Sequence, residues 1–405
     1  PPPLCLFRYY ELEGRVGYAP GRSRRLVAEV SPFVQETLEA FDALEKDAKK
    51  AHADLLLGWL ERWRRHDEAS PLAAVDVLDE KPDFSAIRKA FYQLFPGNWS
   101  EILVDLGDID AGDSLKDTFF AVRQITEFLF KQDIIPMFLG GCHDLVYAMY
   151  RAYDKLDQMV NLVNVDSRFD LGDSSLPMTN KSFVGKIIID EPYNLFNYSS
   201  LGYQTFLNSQ DEIDLMQRLY FDAYRLGTVT QDVKAVEPVV RDADIVTFDL
   251  AAIQGTDLGF MFEDVPNGLN GREACAIARY AGISDRVSSF GVFEYRLTPK
   301  PTAAASLIAQ MLWYFVEGVN YRVNERLVDH LNEFLHYSVP VDNEVLSFYK
   351  SEKTDRWWIE IPFIQGVNNK LKRHTLLPCT HQDYLNACNQ EIPERWYKAR
   401  MKNEI

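Results

Sequence analysis

From about Glu101 to Glu317, short apolar runs alternate with longer segments in which apolar residues recur every three or four positions. The runs Ile102–Leu106, Ile134–Leu139, Leu162–Val165, Lys186–Ile189, Asp244–Phe248 and Ser288–Phe293 are short and mostly apolar, as strands buried on both faces are. Between them, Thr118–Lys131, Leu145–Leu156, Glu212–Tyr220, Arg272–Ala281 and Ala303–Val316 each carry an apolar stripe of helical period. This alternation predicts a doubly wound α/β domain, a parallel sheet between two helical layers in an α/β/α sandwich. Its ligand groups should gather beyond the carboxyl ends of the strands.

Upstream, Val34, Leu38, Phe41, Leu44, Ala48, Ala51, Leu55, Trp59 and Trp63 recur with a mean step of about 3.6 residues, the period of a straight α-helix. Ser31 supplies an N-cap and Pro32 a first-turn proline. Such a helix either packs on the body or serves an oligomer or protein partner. Downstream, Arg356–Ile361 alternates like a strand. The pattern divides the chain into a helical N-terminal extension over 1–89, the α/β domain over 90–318 and a small C-terminal extension over 319–405.

Charge sharpens this division. Acidic and basic residues balance from Gly318 to Ile405, so the net −17 resides in the part before it. That field repels phosphate backbones and acidic membrane surfaces, which excludes nucleic acid and membranes as partners. Five cysteines, an odd number without a CxxC pair, predict a reducing, cytoplasmic compartment. The start PPPLCLFRYYELEG lacks the pattern of a signal peptide. Cys379, His381 and Cys388 do not have the spacing of a zinc module and are expected to be buried thiols and a surface histidine.

Four polar segments follow predicted strands: Asp105–Asp108, Gly140-Gly141-Cys142-His143-Asp144, Asp166-Ser167-Arg168-Phe169-Asp170 and Phe248-Asp249-Leu250-Ala251. Carboxylates and one histidine at the ends of neighbouring parallel strands would converge on one crevice, as a hard divalent metal requires.

In this order the segments resemble the ureohydrolase superfamily of arginase, agmatinase and formimidoylglutamase. Gly140–Asp144 is similar to its GGDHS segment, Asp166–Asp170 to DAHxD and Thr247–Ala251 to SFDxD. Gly268-Leu269-Asn270-Gly271-Arg272-Glu273 resembles the stretch that supplies a substrate carboxylate, and Phe293-Glu294-Tyr295 the E-x-N-P region. The ending Phe169-Asp170-Leu171 leans toward formimidoylglutamase. The resemblance spans about Glu101 to Gly318 and implies an arginase-like fold. It also implies hydrolysis of a linear amidine or guanidine by a hydroxide shared between two Mn2+ ions, in rings of three or six subunits.

Transferred residue by residue, the resemblance gives one ion a full ligand set: His143, Asp166, Asp170 and Asp249. The second ion meets Arg168 where a histidine is needed and Ala251 where an aspartate is needed. A guanidinium cannot coordinate a cation and stands in for its charge, pairing with Asp166, Asp170 or Asp249. Cys142 stands where the family has an aspartate that can orient a metal-binding histidine, and Leu171–Asp190 contains no histidine to shuttle protons. Glu273 is the candidate anchor for a small cationic ligand. The expectation is thus at most one Mn2+, or none, in a non-catalytic homologue that acts by ligand binding or by assembly through its extensions. The alternative is a mononuclear C–N hydrolase acting on formimidoylglutamate, arginine or agmatine.

Overall fold

The computed structural model describes residues 4–6, 84–98, 103–109, 114–156, 158–173, 176–260, 262, 266–295, 302–325, 331–342, 344–361 and 376–404. The helix expected over Val34–Trp63 lies outside them. Eight parallel strands form the main sheet: β1 (Leu4–Leu6), β2 (Leu103–Asp105), β3 (Ile135–Leu139), β4 (Val160–Val165), β5 (Leu195–Tyr203), β6 (Asp222–Arg225), β7 (Ile245–Asp249) and β8 (Ser289–Phe293). Their order across the sheet is β2-β1-β3-β8-β7-β4-β5-β6.

The central strands are apolar on both sides because helices cover both. On one face Val163, Val246, Phe248, Phe290 and Val292 pack against Ile277, Ile308, Leu312 and Phe315 of the helices Gly271–Ile283 and Thr302–Asn320. On the other, Leu162, Ile245 and Phe293 meet Val122, Met149, Phe183 and Ile187 of the helices Leu115–Phe130, Leu145–Arg151 and Phe183–Ile189. The helices Gly271–Ile283 and Thr302–Asn320 touch backbone to backbone. A Cβ on Gly282 would lie 2.1 Å from the Phe315 carbonyl oxygen, so only glycine permits this crossing.

Three local expectations are corrected. Lys186–Ile189 belongs to a helix, with Phe183, Val184 and Ile187 facing the core. A short apolar run fits either element, and here the buried positions follow a spacing of three and four. The strand beside β4 is instead β5, whose sequence LFNYSSLGY is interrupted by polar residues. Two of those residues pair inside the sheet: Asn197 Nδ2 donates to Ser199 Oγ and to Asp222 Oδ2, both at 2.9 Å. Leu4–Leu6, expected in a separate extension, pairs with both β2 and β3, and the helix Ser85–Gln93 runs across the expected boundary at residue 89.

Four antiparallel strands, β9 (Phe334–Val341), β10 (Glu344–Ser351), β11 (Trp357–Glu360) and β12 (Leu376–Cys379), form a second sheet in the order β12-β11-β10-β9. With the helices His381–Cys388 and Glu394–Glu404 it encloses its own core of Phe348, Ile359 and Trp396. Cys379 is buried there, while His381 and Cys388 are exposed. Arg241 joins this unit to the main domain through carbonyl oxygens of Trp357 and Cys379. No helix among the described residues is long and apolar enough to cross a membrane.

Candidate metal centre

Strands β3, β8, β7 and β4 are neighbours, and their carboxyl ends deliver His143, Glu294, Asp249 and Asp166 to one crevice. His143 follows the Gly140-Gly141 turn. A side chain on Gly140 would collide with the Phe293 ring, 2.3 Å from its Cβ, so this approach needs glycine. The imidazole is fully buried and lies between Phe183 and Phe293, with ring centroids 4.8 and 5.3 Å away.

Three carboxylates surround one atom of that ring. His143 Nδ1 lies 3.3 Å from Asp249 Oδ2, 3.4 Å from Asp166 Oδ2 and 3.6 Å from Asp170 Oδ2. Two aspartates are oriented by their own turns: Asp166 Oδ1 accepts the Arg168 N–H at 2.9 Å, and Asp249 Oδ1 accepts the Ala251 N–H at 2.6 Å. Each therefore closes a turn with one oxygen and aims the other at His143. Asp170 adopts a left-handed φ of 53°, a cost of about 1–3 kcal/mol for such a residue. Its carbonyl holds it there by accepting the N–H of Val184 at 3.0 Å, from the first turn of the Phe183–Ile189 helix.

His143 Nδ1 and Asp170 Oδ2 are buried without hydrogen-bond partners. One nitrogen and three carboxylate oxygens around a common point suit a hard divalent ion. The donors expected for one ion thus fit it. In the metal-free state, burial disfavours every charge in the cluster. Burial and Asp166 push the Asp249 carboxyl up to about 7 and raise Asp170 well above the usual range. Against the same burial, Asp166 and Asp249 raise His143 well above 6.5, and His143 lowers Asp166. A proton is thus held where a cation would sit. His143 Nε2 also has no hydrogen-bond partner, and Cys142 supplies none.

The second set of positions does not fit an ion. Ala251 lines the crevice without a donor atom. Arg168 lines it too; the expected pairing of its guanidinium with Asp166, Asp170 or Asp249 is not among the ion pairs of the described residues, and Nη1 donates to the Leu207 carbonyl at 2.8 Å. Asp105 and Asp108, expected to converge with the others, instead bind Arg88 beside β2 at the sheet edge.

Glu273 is also placed elsewhere. Its carboxylate accepts the Asn270 N–H at 2.9 Å while Asn270 Oδ1 accepts the Glu273 N–H at 2.9 Å, a capping box on the Gly271–Ile283 helix. Glu273→Ala should therefore cost about 1 kcal/mol of stability and leave Mn2+ affinity unchanged, as thermal melts and metal titration would show. Besides the three aspartates, the crevice holds the carboxylate of Glu294, at a left-handed φ of 62°. Its Oε1 accepts the His143 N–H at 3.1 Å and the Asn180 Nδ2 at 2.9 Å. The run Phe293-Glu294-Tyr295 signalled this residue in the sequence. Asn180, Lys181 and Phe262 line the same crevice and carried no such signal.

The profile of the Arginase family matches residues 84–317. The chain belongs to the arginase family. A related formimidoylglutamase from Staphylococcus aureus strain bovine RF122 / ET3-1 is 26% identical over 310 residues, covering 72% of this chain and 96% of the relative. Among solved structures, formimidoylglutamase from Bacillus subtilis subsp. subtilis str. 168 superposes with a TM-score of 0.52 at 19% identity, covering 59% of this chain and 80% of that one. Trypanosoma cruzi formiminoglutamase with two Mn2+ gives a TM-score of 0.51 at 18% identity, covering 59% and 86%. These likenesses agree with the three-layer fold of this arginase-family chain.

Proposed function

We propose that this arginase-family protein binds a single Mn2+ through His143, Asp166, Asp170 and Asp249 and does not perform two-metal hydrolysis. The supporting observation is the ring of three carboxylate oxygens within 3.6 Å of one buried, unpartnered imidazole nitrogen. A bound ion would supply positive charge that polarises a ligand or lowers the pKa of a water. Glu294, steadied by Asn180, presents a carboxylate to a small cationic ligand of the amidine or guanidine class. The protein then acts by ligand binding in a cytoplasmic setting. Mononuclear hydrolysis of a linear amidine is a second reading, favoured by the presence of Glu294 in the same crevice as the metal ligands.

Elemental analysis and Mn2+ titration test this reading. One ion per chain is expected, with no turnover of formimidoylglutamate, arginine or agmatine in excess Mn2+. Two ions per chain would overturn it, and robust turnover with one would establish the second reading. Arg168→His together with Ala251→Asp should restore the missing donors and raise uptake to two ions, whereas either change alone leaves the second set one ligand short.

A further inference from the structure

Beneath the metal ligands lies a polar pair that the chemistry above does not use. Asn164 on β4 and Thr247 on β7 are register partners in the sheet, and both are fully buried. Side chains two residues apart on a strand point to the same face. Asn164 therefore stands directly below Asp166, and Thr247 directly below Asp249. Thr247 Oγ1 donates to Asn164 Oδ1 at 2.8 Å, which fixes the amide so that Nδ2 faces Asp166. Asn164 Nδ2 then donates to Asp166 Oδ2 at 3.2 Å, the oxygen that faces His143 Nδ1. The other oxygen, Oδ1, is already held by the Arg168 N–H.

We infer that Asn164, oriented by Thr247, is a positioning residue that aims the ligating oxygen of Asp166 at the metal. The inference rests on the single-ion reading above. A hydroxyl and an amide buried between two apolar faces gain nothing from solvent, so they hold their geometry through each other, through Asp166 and, at a longer 3.5 Å, through the Tyr198 hydroxyl that accepts from Asn164 Nδ2. The chain Thr247–Asn164–Asp166 ties the register of β4 and β7 to the orientation of one ligand. Removal of such an outer partner typically weakens a metal site about 10–100-fold.

The test compares Mn2+ dissociation constants, read from the EPR signal of free Mn2+, with melting temperatures in chelator. Thr247→Val keeps the side-chain shape and removes the donor, Thr247→Ser keeps the donor, and Asn164→Leu removes the link. Affinity should fall about 10-fold or more in Thr247→Val and Asn164→Leu, with an altered spectrum of the bound ion. Thr247→Ser should retain both affinity and spectrum. If Asn164→Leu does not fold, the Val and Ser pair at Thr247 decides alone. Unchanged affinity in Thr247→Val, or an equal loss in Thr247→Ser, would overturn the positioning role while leaving the metal site standing. Absence of Mn2+ uptake by the unsubstituted chain would overturn both.

Discussion

Asp249→Asn is expected to abolish tight Mn2+ uptake while leaving the fold intact, and to flatten the pH dependence of the metal-free protein. An amide oxygen remains, but the anionic donor is lost from a set of four. The loss should exceed the roughly 10–100-fold that follows removal of a residue that only orients a ligand. The pH effect follows from the position of the carboxyl, which burial and the neighbouring Asp166 push up to about 7. In the unfolded chain this group ionises near the ordinary 3.8, whereas in the fold it keeps its proton until about pH 7. Between these values the folded state binds more protons than the unfolded one, so stability falls as pH rises and levels off above about 7. Asparagine removes that contribution. Melting temperatures in chelator at about pH 5 and about pH 8 should differ less in Asp249→Asn than in the parent. Mn2+ affinity of the parent should weaken below about pH 7, because the ion must displace the proton. An undiminished affinity in Asp249→Asn would remove Asp249 from the ligand set.

The largest effect on stability is expected at Arg241, far from the crevice. Its guanidinium is buried between the main domain and the antiparallel sheet, with its central carbon 4.5 Å above the Trp358 ring. Nη2 donates to the carbonyls of Trp357 at 3.2 Å and Cys379 at 3.3 Å, while Nε lies 3.2 Å from Glu237. Arg241→Ala leaves two carbonyls and a cavity where the guanidinium was buried and should cost on the order of 3–5 kcal/mol. Arg241→Lys retains the charge but loses the planar fork and most of the stacking, so it should rescue only part. Urea unfolding would measure the loss. Hydrogen exchange should show β11 and β12 losing protection before the central strands. A loss below about 1 kcal/mol would mean that the two units are held by other contacts.

By itself the sequence determined what local periodicity and strand-end chemistry can encode. The runs that became β3, β4, β7 and β8 were legible because burial on both faces leaves a mostly apolar signature, and the helices Leu115–Phe130, Leu145–Arg151, Gln210–Arg218, Gly271–Ile283 and Thr302–Asn320 were legible from their apolar stripes. His143, Asp166, Asp170 and Asp249 were legible because each follows such a run within a few residues. The tertiary structure decided whatever depends on pairing between distant segments. Only the strand order brings β3, β8, β7 and β4 side by side, so only the fold separates the three converging segments from Asp105 and Asp108 at the edge. Leu4–Leu6 becomes part of the sheet through parallel partners roughly a hundred residues away. The polar strand β5 is stable because Asp222 and Ser199 satisfy Asn197, contacts that its own composition does not announce. The roles of two glutamates were likewise settled in space. Glu273 lies where a helix begins and closes its cap, whereas Glu294 lies where β8 ends and enters the crevice. A carboxylate's chemistry is the same in both places, and what differs is which backbone amides and buried charges surround it.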